Sequence, residues 1–259
     1  MTYCLAMRLD DGLLFLSDTR TNAGVDHVGT YRKLHVFEPD DDRVIVIQSA
    51  GNLATTQEVL DRIGQDLDGP GESLANVDEL WQAALYVGRV ANEVVARHQP
   101  SLTQAGASGT ATFIVGGQID DGEPDILLVY PEGNYIRASD DRPYLQIGER
   151  KYGKSWLDLA VRSNTDLDTA AKVALSSMAA TALSNLSVGP PYDLGIVRRD
   201  SHAIQCGRIE GDSPFLDRVK QVWADHLNAA IDALPRVEAA DITALAPDWT
   251  SGQVTRPRS

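Results

Sequence analysis

The chain has 259 residues and a formal charge of −14, from 23 basic and 37 acidic side chains. With 43% hydrophobic and 23% charged residues, it has the composition of a soluble globular protein, which excludes collagen, coiled coil and general disorder. The acidic balance repels phosphate backbones and no Lys/Arg cluster reverses it locally, so no nucleic-acid partner is expected.

The longest apolar runs, such as Ile126-Leu-Leu-Val-Tyr130, fall far short of the ~18–20 residues that cross a bilayer. The amino terminus reaches Asp10 without a basic leader or a long apolar stretch, unlike a secretory signal. A cytoplasmic protein without a membrane partner is the expectation. Cys4 and Cys206 read as two buried thiols rather than a disulfide. The five His residues show no ligand-like spacing, so no metal or other cofactor is expected.

Taken in chain order, Tyr3, Leu5, Met7 and Leu9 alternate with smaller or polar residues, the period of a β-strand. Asp10-Asp11-Gly12 makes a turn, and residues 13–17 return as a nearly all-apolar strand. Strands over 32–37 and 43–49 follow, separated by an acidic, Pro-containing turn. Helical spacing takes over at 53–67 and 77–98, with Thr55 and Asn76 as start residues. Strand character resumes at 110–116, 125–130, 134–138 and 144–147, and helices fit 152–161 and 166–186. Strands at 193–198 and 203–209 and a helix over 214–234 complete the pattern. Blocks of strands and helices, rather than strict alternation, predict an α+β chain of antiparallel sheets. No linker divides it, so residues 2–234 are expected as one domain and 235–259 as a tail or an assembly extension.

The chemistry lies at the start. Thr2 is small enough to permit removal of Met1, which leaves one residue with a hydroxyl and a free amine. An α-amine titrating near 7.7–8.0 can take the hydroxyl proton, so nucleophile and base share a residue. With a three-residue hairpin loop, Thr2 opposes Arg20 and Cys4 opposes Asp18 on one face; with a two-residue loop, Thr2 and Asp18 face opposite ways. Lys33 can pair with Asp18 and favour the neutral amine. Gly51, after Ser49, lets a backbone N–H approach a developing oxyanion. Each feature has a plainer reading when taken singly: a frayed terminus, an ordinary ion pair, an ordinary turn.

Together, Thr2, Leu14-Phe-Leu-Ser-Asp-Thr-Arg-Thr-Asn-Ala-Gly24, Lys33 and Ser49-Ala-Gly51 resemble the opening of proteasome-type β-subunits, threonine peptidases of the N-terminal nucleophile hydrolase superfamily. Tyr144-Leu-Gln-Ile-Gly-Glu-Arg-Lys-Tyr-Gly153 and Ser187-Val-Gly-Pro-Pro-Tyr-Asp-Leu194 resemble the bacterial ancestral β-subunit branch, Anbu. The resemblance implies a four-layer αββα sandwich and a self-assembling homo-oligomer, either a ring or an open helical ring. It implies that Thr2 attacks the scissile carbonyl, that Asp18 and Lys33 tune proton transfer, and that Gly51 N–H holds the oxyanion. Ser187 completes the catalytic set, while Arg20, Asn22 and Ser49 flank an extended peptide or protein substrate. An unfoldase partner is compatible with the family, although the chain itself lacks a phosphate-binding Gly-x-x-x-x-Gly-Lys-Ser/Thr loop.

Three positions depart from the pattern. Glu149 stands where a serine hydroxyl is usual, and Ser184 where an Asp is usual. Asn22 also replaces a threonine. Two alternatives to the peptidase therefore stand: an assembly protein with a vestigial site, and a hydrolase of small-molecule or γ-linked amides.

Overall fold

The computed structural model describes residues 2–22, 28–238 and 241. The chain divides into two compact units, Met1–Lys220 and Gln221–Ser259. The first contains two five-stranded antiparallel sheets. One sheet has the order β10 (Tyr144–Gly148), β1 (Tyr3–Leu9), β2 (Gly12–Asp18), β11 (Tyr192–Arg198), β12 (Ile204–Ile209). The other has the order β5 (Leu34–Asp40), β6 (Arg43–Gly51), β7 (Ala111–Ile119), β8 (Asp125–Val129), β9 (Tyr135–Arg137). A small ribbon, β3 (Arg20–Asn22) with β4 (Val28–Thr30), joins them. Its three-residue strands are too short to show a period in the sequence.

Strand alternation builds the layers. In β1, Tyr3, Leu5 and Met7 pack against α3 (Lys154–Ala160) and α4 (Leu167–Ser184), while Cys4 and Ala6 turn to the other sheet. In β6, Ile45 and Ile47 meet α1 (Leu53–Asp66) and α2 (Leu80–Gln104), while Val44 and Val46 face β1 and β2. The result is the expected four-layer αββα sandwich, with β1, β2, β6, β7 and β8 buried on both faces. No helix among the described residues is long and apolar enough to cross a membrane.

Local sequence reading erred at some ends. The β1–β2 hairpin has a two-residue loop, with Leu9 opposite Gly12 and Cys4 opposite Ser17. The three-residue alternative, and with it a Thr2–Arg20 pairing, is corrected. Gly12 at φ +137° permits the tighter return. Asn52, not Thr55, caps α1, accepting the Thr55 N–H at 3.1 Å. Asn76 instead ties the preceding turn, bonding Ser73 N–H and Gly71 O, and a capping box of Glu79 and Gln82 opens α2. That helix runs through Pro100 into its last turn. The second unit begins within α5 (Pro214–Asp232), and most of the expected tail lies outside the described residues.

Between the sheets, Gly116 leaves room for the Phe15 ring: a Cβ there would lie 2.8 Å from Phe15 and Ile126 carbons. Gly116→Val should therefore lower unfolding free energy by about 1–3 kcal/mol, measured by denaturant titration. An unchanged midpoint would mean that the interlayer gap is slack.

Candidate active site

The site forms where β1 and β2 end and the chain crosses between the sheets. Asp18 stands one place beyond the last β1–β2 pair and substitutes its side chain for a ladder carbonyl. Its Oδ1 accepts the Tyr3 N–H at 3.0 Å and the Lys33 Nζ at 2.7 Å, while Oδ2 accepts the Gly189 N–H at 3.3 Å. The pair is buried, Asp18 at 0% and Lys33 at 4% exposure. Lys33 also donates to Arg20 O at 2.6 Å. Burial raises the Asp18 carboxyl above its ordinary range, and the Lys33 ammonium and the backbone donors oppose that rise. Lys33 thus lies one carboxylate oxygen away from the peptide bond that joins Thr2 to Tyr3.

Thr2 is half-buried and extends the β1–β10 ladder by one residue, its carbonyl accepting the Glu149 N–H at 2.7 Å. Gly148 makes this close approach feasible. At φ +80° it occupies the left-handed region, and a Cβ would fall 1.9 Å from Thr2 O. Cys4 lies beneath, its thiol donating to Ser49 O at 3.8 Å; complete burial pushes that thiol up, so it stays protonated.

Ser49 is buried on β6 and donates its N–H to Lys33 O at 3.0 Å. Asn52 N–H bonds Thr110 O, beside β7. Because edges alternate along a strand, the Gly51 N–H points to the Lys33 side, away from β7. Gly51 itself is exposed at φ +121°. Beside it opens a cavity of about 430 Å³ whose walls include Tyr31, His35, Ser49, Leu53 and Thr56. His35 is held below its ordinary range by burial, so at neutral pH the wall carries a neutral imidazole.

The remaining predicted residues divide. Arg20 turns to the loop after α4, its guanidinium donating to Leu186 O at 3.0 Å across Gly189, where a Cβ would strike it at 2.4 Å. Asn22 lies on β3, paired with Val28. Ser187 is half-buried in the loop, and its N–H donates to Asn185 Oδ1 at 3.0 Å. Ser184 is exposed on the last turn of α4 and is not brought to the cluster. Glu149 is tied to the same loop by Asn185 Nδ2, 2.9 Å from its Oε2.

Sequence reading gave no role to Asn185 or Gly189. Gly189 preceding two prolines was the available signal; nothing local marks Asn185.

Residues 2–197 match the family described as proteasome subunit. Nothing among curated proteins matches. Several solved structures do. The helical assembly of the Anbu complex from Pseudomonas aeruginosa is 42% identical, over 92% of this chain and 99% of that one, with a TM-score of 0.89. Anbu (ancestral beta-subunit) from Yersinia bercovieri is 42% identical over 92% and 100%, with a TM-score of 0.85. An Anbu (Gly-1) mutant from Hyphomicrobium sp. strain MC1 is 40% identical over 92% and 100%, with a TM-score of 0.86.

Removing one partner of a buried ion pair leaves the other uncompensated. Lys33→Met should cost about 3–5 kcal/mol in denaturant unfolding, and adding Asp18→Asn should recover part of it. A Lys33→Met protein as stable as the parent would show that the pair is not held as described.

Proposed function

Because this chain belongs to the proteasome-subunit family, in its Anbu branch, we propose that it is a threonine-type peptidase whose nucleophile is Thr2 after removal of Met1. The family carries the hydrolase-type sandwich; the chemistry rests on the site. The observation that supports it best is the single Asp18 oxygen shared by Lys33 and the Tyr3 N–H. It fixes a cation beside the peptide unit of Thr2, where positive charge keeps the α-amine neutral and able to accept the hydroxyl proton.

In this reading Thr2 Oγ1 attacks the amide carbonyl and its proton passes to the Thr2 amine. The Gly51 N–H faces the oxyanion, and the amine returns the proton to the leaving nitrogen. Water then attacks the ester by the same route. The substrate is an extended peptide or protein lying against the β3 and β6 backbones near Arg20, Asn22 and Ser49. The side chain before the scissile bond enters the cavity beside Ser49. Ser187 supports the amine from its loop.

We further propose that the chain works as a cytoplasmic homo-oligomer, as the Pseudomonas aeruginosa relative forms a helical assembly. In α5, taken by itself, Leu227 and Ile231 are exposed one turn apart on the same face, an apolar stripe suited to contact with a second copy. No cofactor is required.

A peptide vinyl sulfone tests the chemistry. Intact mass should show loss of Met1, and peptide mapping should place one adduct on Thr2. Thr2→Ala should lower amide hydrolysis by at least ~10³-fold without altering sedimentation. Retained Met1, or an adduct at another residue, would overturn the assignment. Leu227→Glu with Ile231→Glu should shift sedimentation toward smaller species; an unchanged profile would remove α5 from the contact.

A further inference from the structure

Two acidic residues bond the backbone at the start of β1, Asp18 through its carboxylate and Glu149 through its N–H, and they do so on opposite edges. Along β1 the two edges alternate, and within one extended residue the N–H and C=O point to the same edge. Tyr3 N–H points to β2, where Asp18 receives it at 3.0 Å. Thr2 C=O points to β10, where Glu149 N–H meets it at 2.7 Å. The nitrogen of Thr2 therefore lies on the Glu149 edge, not on the Asp18 edge.

Their remaining capacity differs as well. Asp18 already accepts from Lys33, Tyr3 and Gly189 and is fully buried. Glu149 is half-buried, and its Oε2 accepts from Asn185 Nδ2 at 2.9 Å. An ionised carboxylate has about four acceptor sites, so capacity remains on Glu149. Asn185 is fixed in orientation by two bonds that agree. Its Nδ2 meets an acceptor-only carboxylate, and its Oδ1 meets the Ser187 N–H at 3.0 Å; a flipped amide would break both. The amide thus aims the carboxylate from the loop after α4, and that loop is anchored independently by Arg20 on Leu186 O and by Gly189 N–H on Asp18.

We infer that Glu149, aimed by Asn185, is a positioning residue whose carboxylate accepts a hydrogen bond from the Thr2 α-amine and stabilises its ammonium form. The inference rests on the proposed exposure of the Thr2 amine. In the attack step the proton leaves Thr2 Oγ1 and arrives on the amine, so the ammonium gains a counter-charge as it forms. Lys33 opposes that form through space, and Glu149 favours it. The amine is thereby held between a cation on the β2 edge and an anion on the β10 edge. Other charged or titratable groups around it are Asp18 on β2, the Cys4 thiol on β1 and the Arg20 guanidinium over Gly189.

The test reads the amine directly and does not depend on turnover. The full-length protein is reductively methylated with ¹³C-formaldehyde, and the α-amine signal of Thr2 is followed by NMR against pH. Glu149→Gln, which keeps the shape and can still meet Asn185, should lower the titration midpoint by about one pH unit, since it removes an opposite charge. Glu149→Asp should retain most of the wild-type midpoint. Equal midpoints for wild type and Glu149→Gln would overturn the inference, as would a terminal amine still on Met1. Absence of vinyl sulfone adducts on Met-free wild type, with the midpoint shift present, would contradict the peptidase reading and leave the amine contact standing.

Discussion

The Asp18–Lys33 ion pair is the constraint on which the rest of the site depends. Two charges removed from water are tolerated only when close geometry and further hydrogen bonds offset their desolvation. Here they are offset: Asp18 takes three donors and Lys33 two oxygen acceptors. Those partners come from β1, from the start of β3, from the segment before β5 and from the loop after α4. One buried contact thus fixes where the two sheets and the loop meet.

The sandwich explains why that contact forms at strand ends. Within the layers, the faces of β1, β2 and β6 are filled mostly by apolar side chains, which leaves few positions for a charge. The groups of this site lie where a ladder runs out. Asp18 follows the last β1–β2 pair, Thr2 precedes β1, and Gly51 closes β6. The backbone groups freed at those ends become the donors and acceptors of the site.

Much of this was legible in the residues. The alternation of Tyr3, Leu5 and Met7 marked one face of β1, and helical spacing placed a helix over 166–186, close to the Leu167–Ser184 bounds of α4. Asp18, Lys33 and Gly51 stood out through combination with Thr2 rather than through any strength of their own. The hairpin register was not legible, because a two-residue loop and a three-residue loop differ only in whether Gly12 belongs to the turn or the strand. Glu149 and Ser184 read alike as departures from a pattern, yet Glu149 touches Thr2 and Ser184 is turned to solvent. Distance along the chain hid Asn185, whose importance comes from a contact 36 residues away.

The peptidase proposal requires the Thr2 hydroxyl to face an oxyanion donor on Gly51. A crystal structure of the protein soaked with a peptide aldehyde tests it most directly. A hemiacetal bonded to Thr2 Oγ1 is expected, with its oxygen within hydrogen-bond distance of the Gly51 N–H. An aldehyde bonded to any other residue, or its oxygen turned away from Gly51, would contradict it.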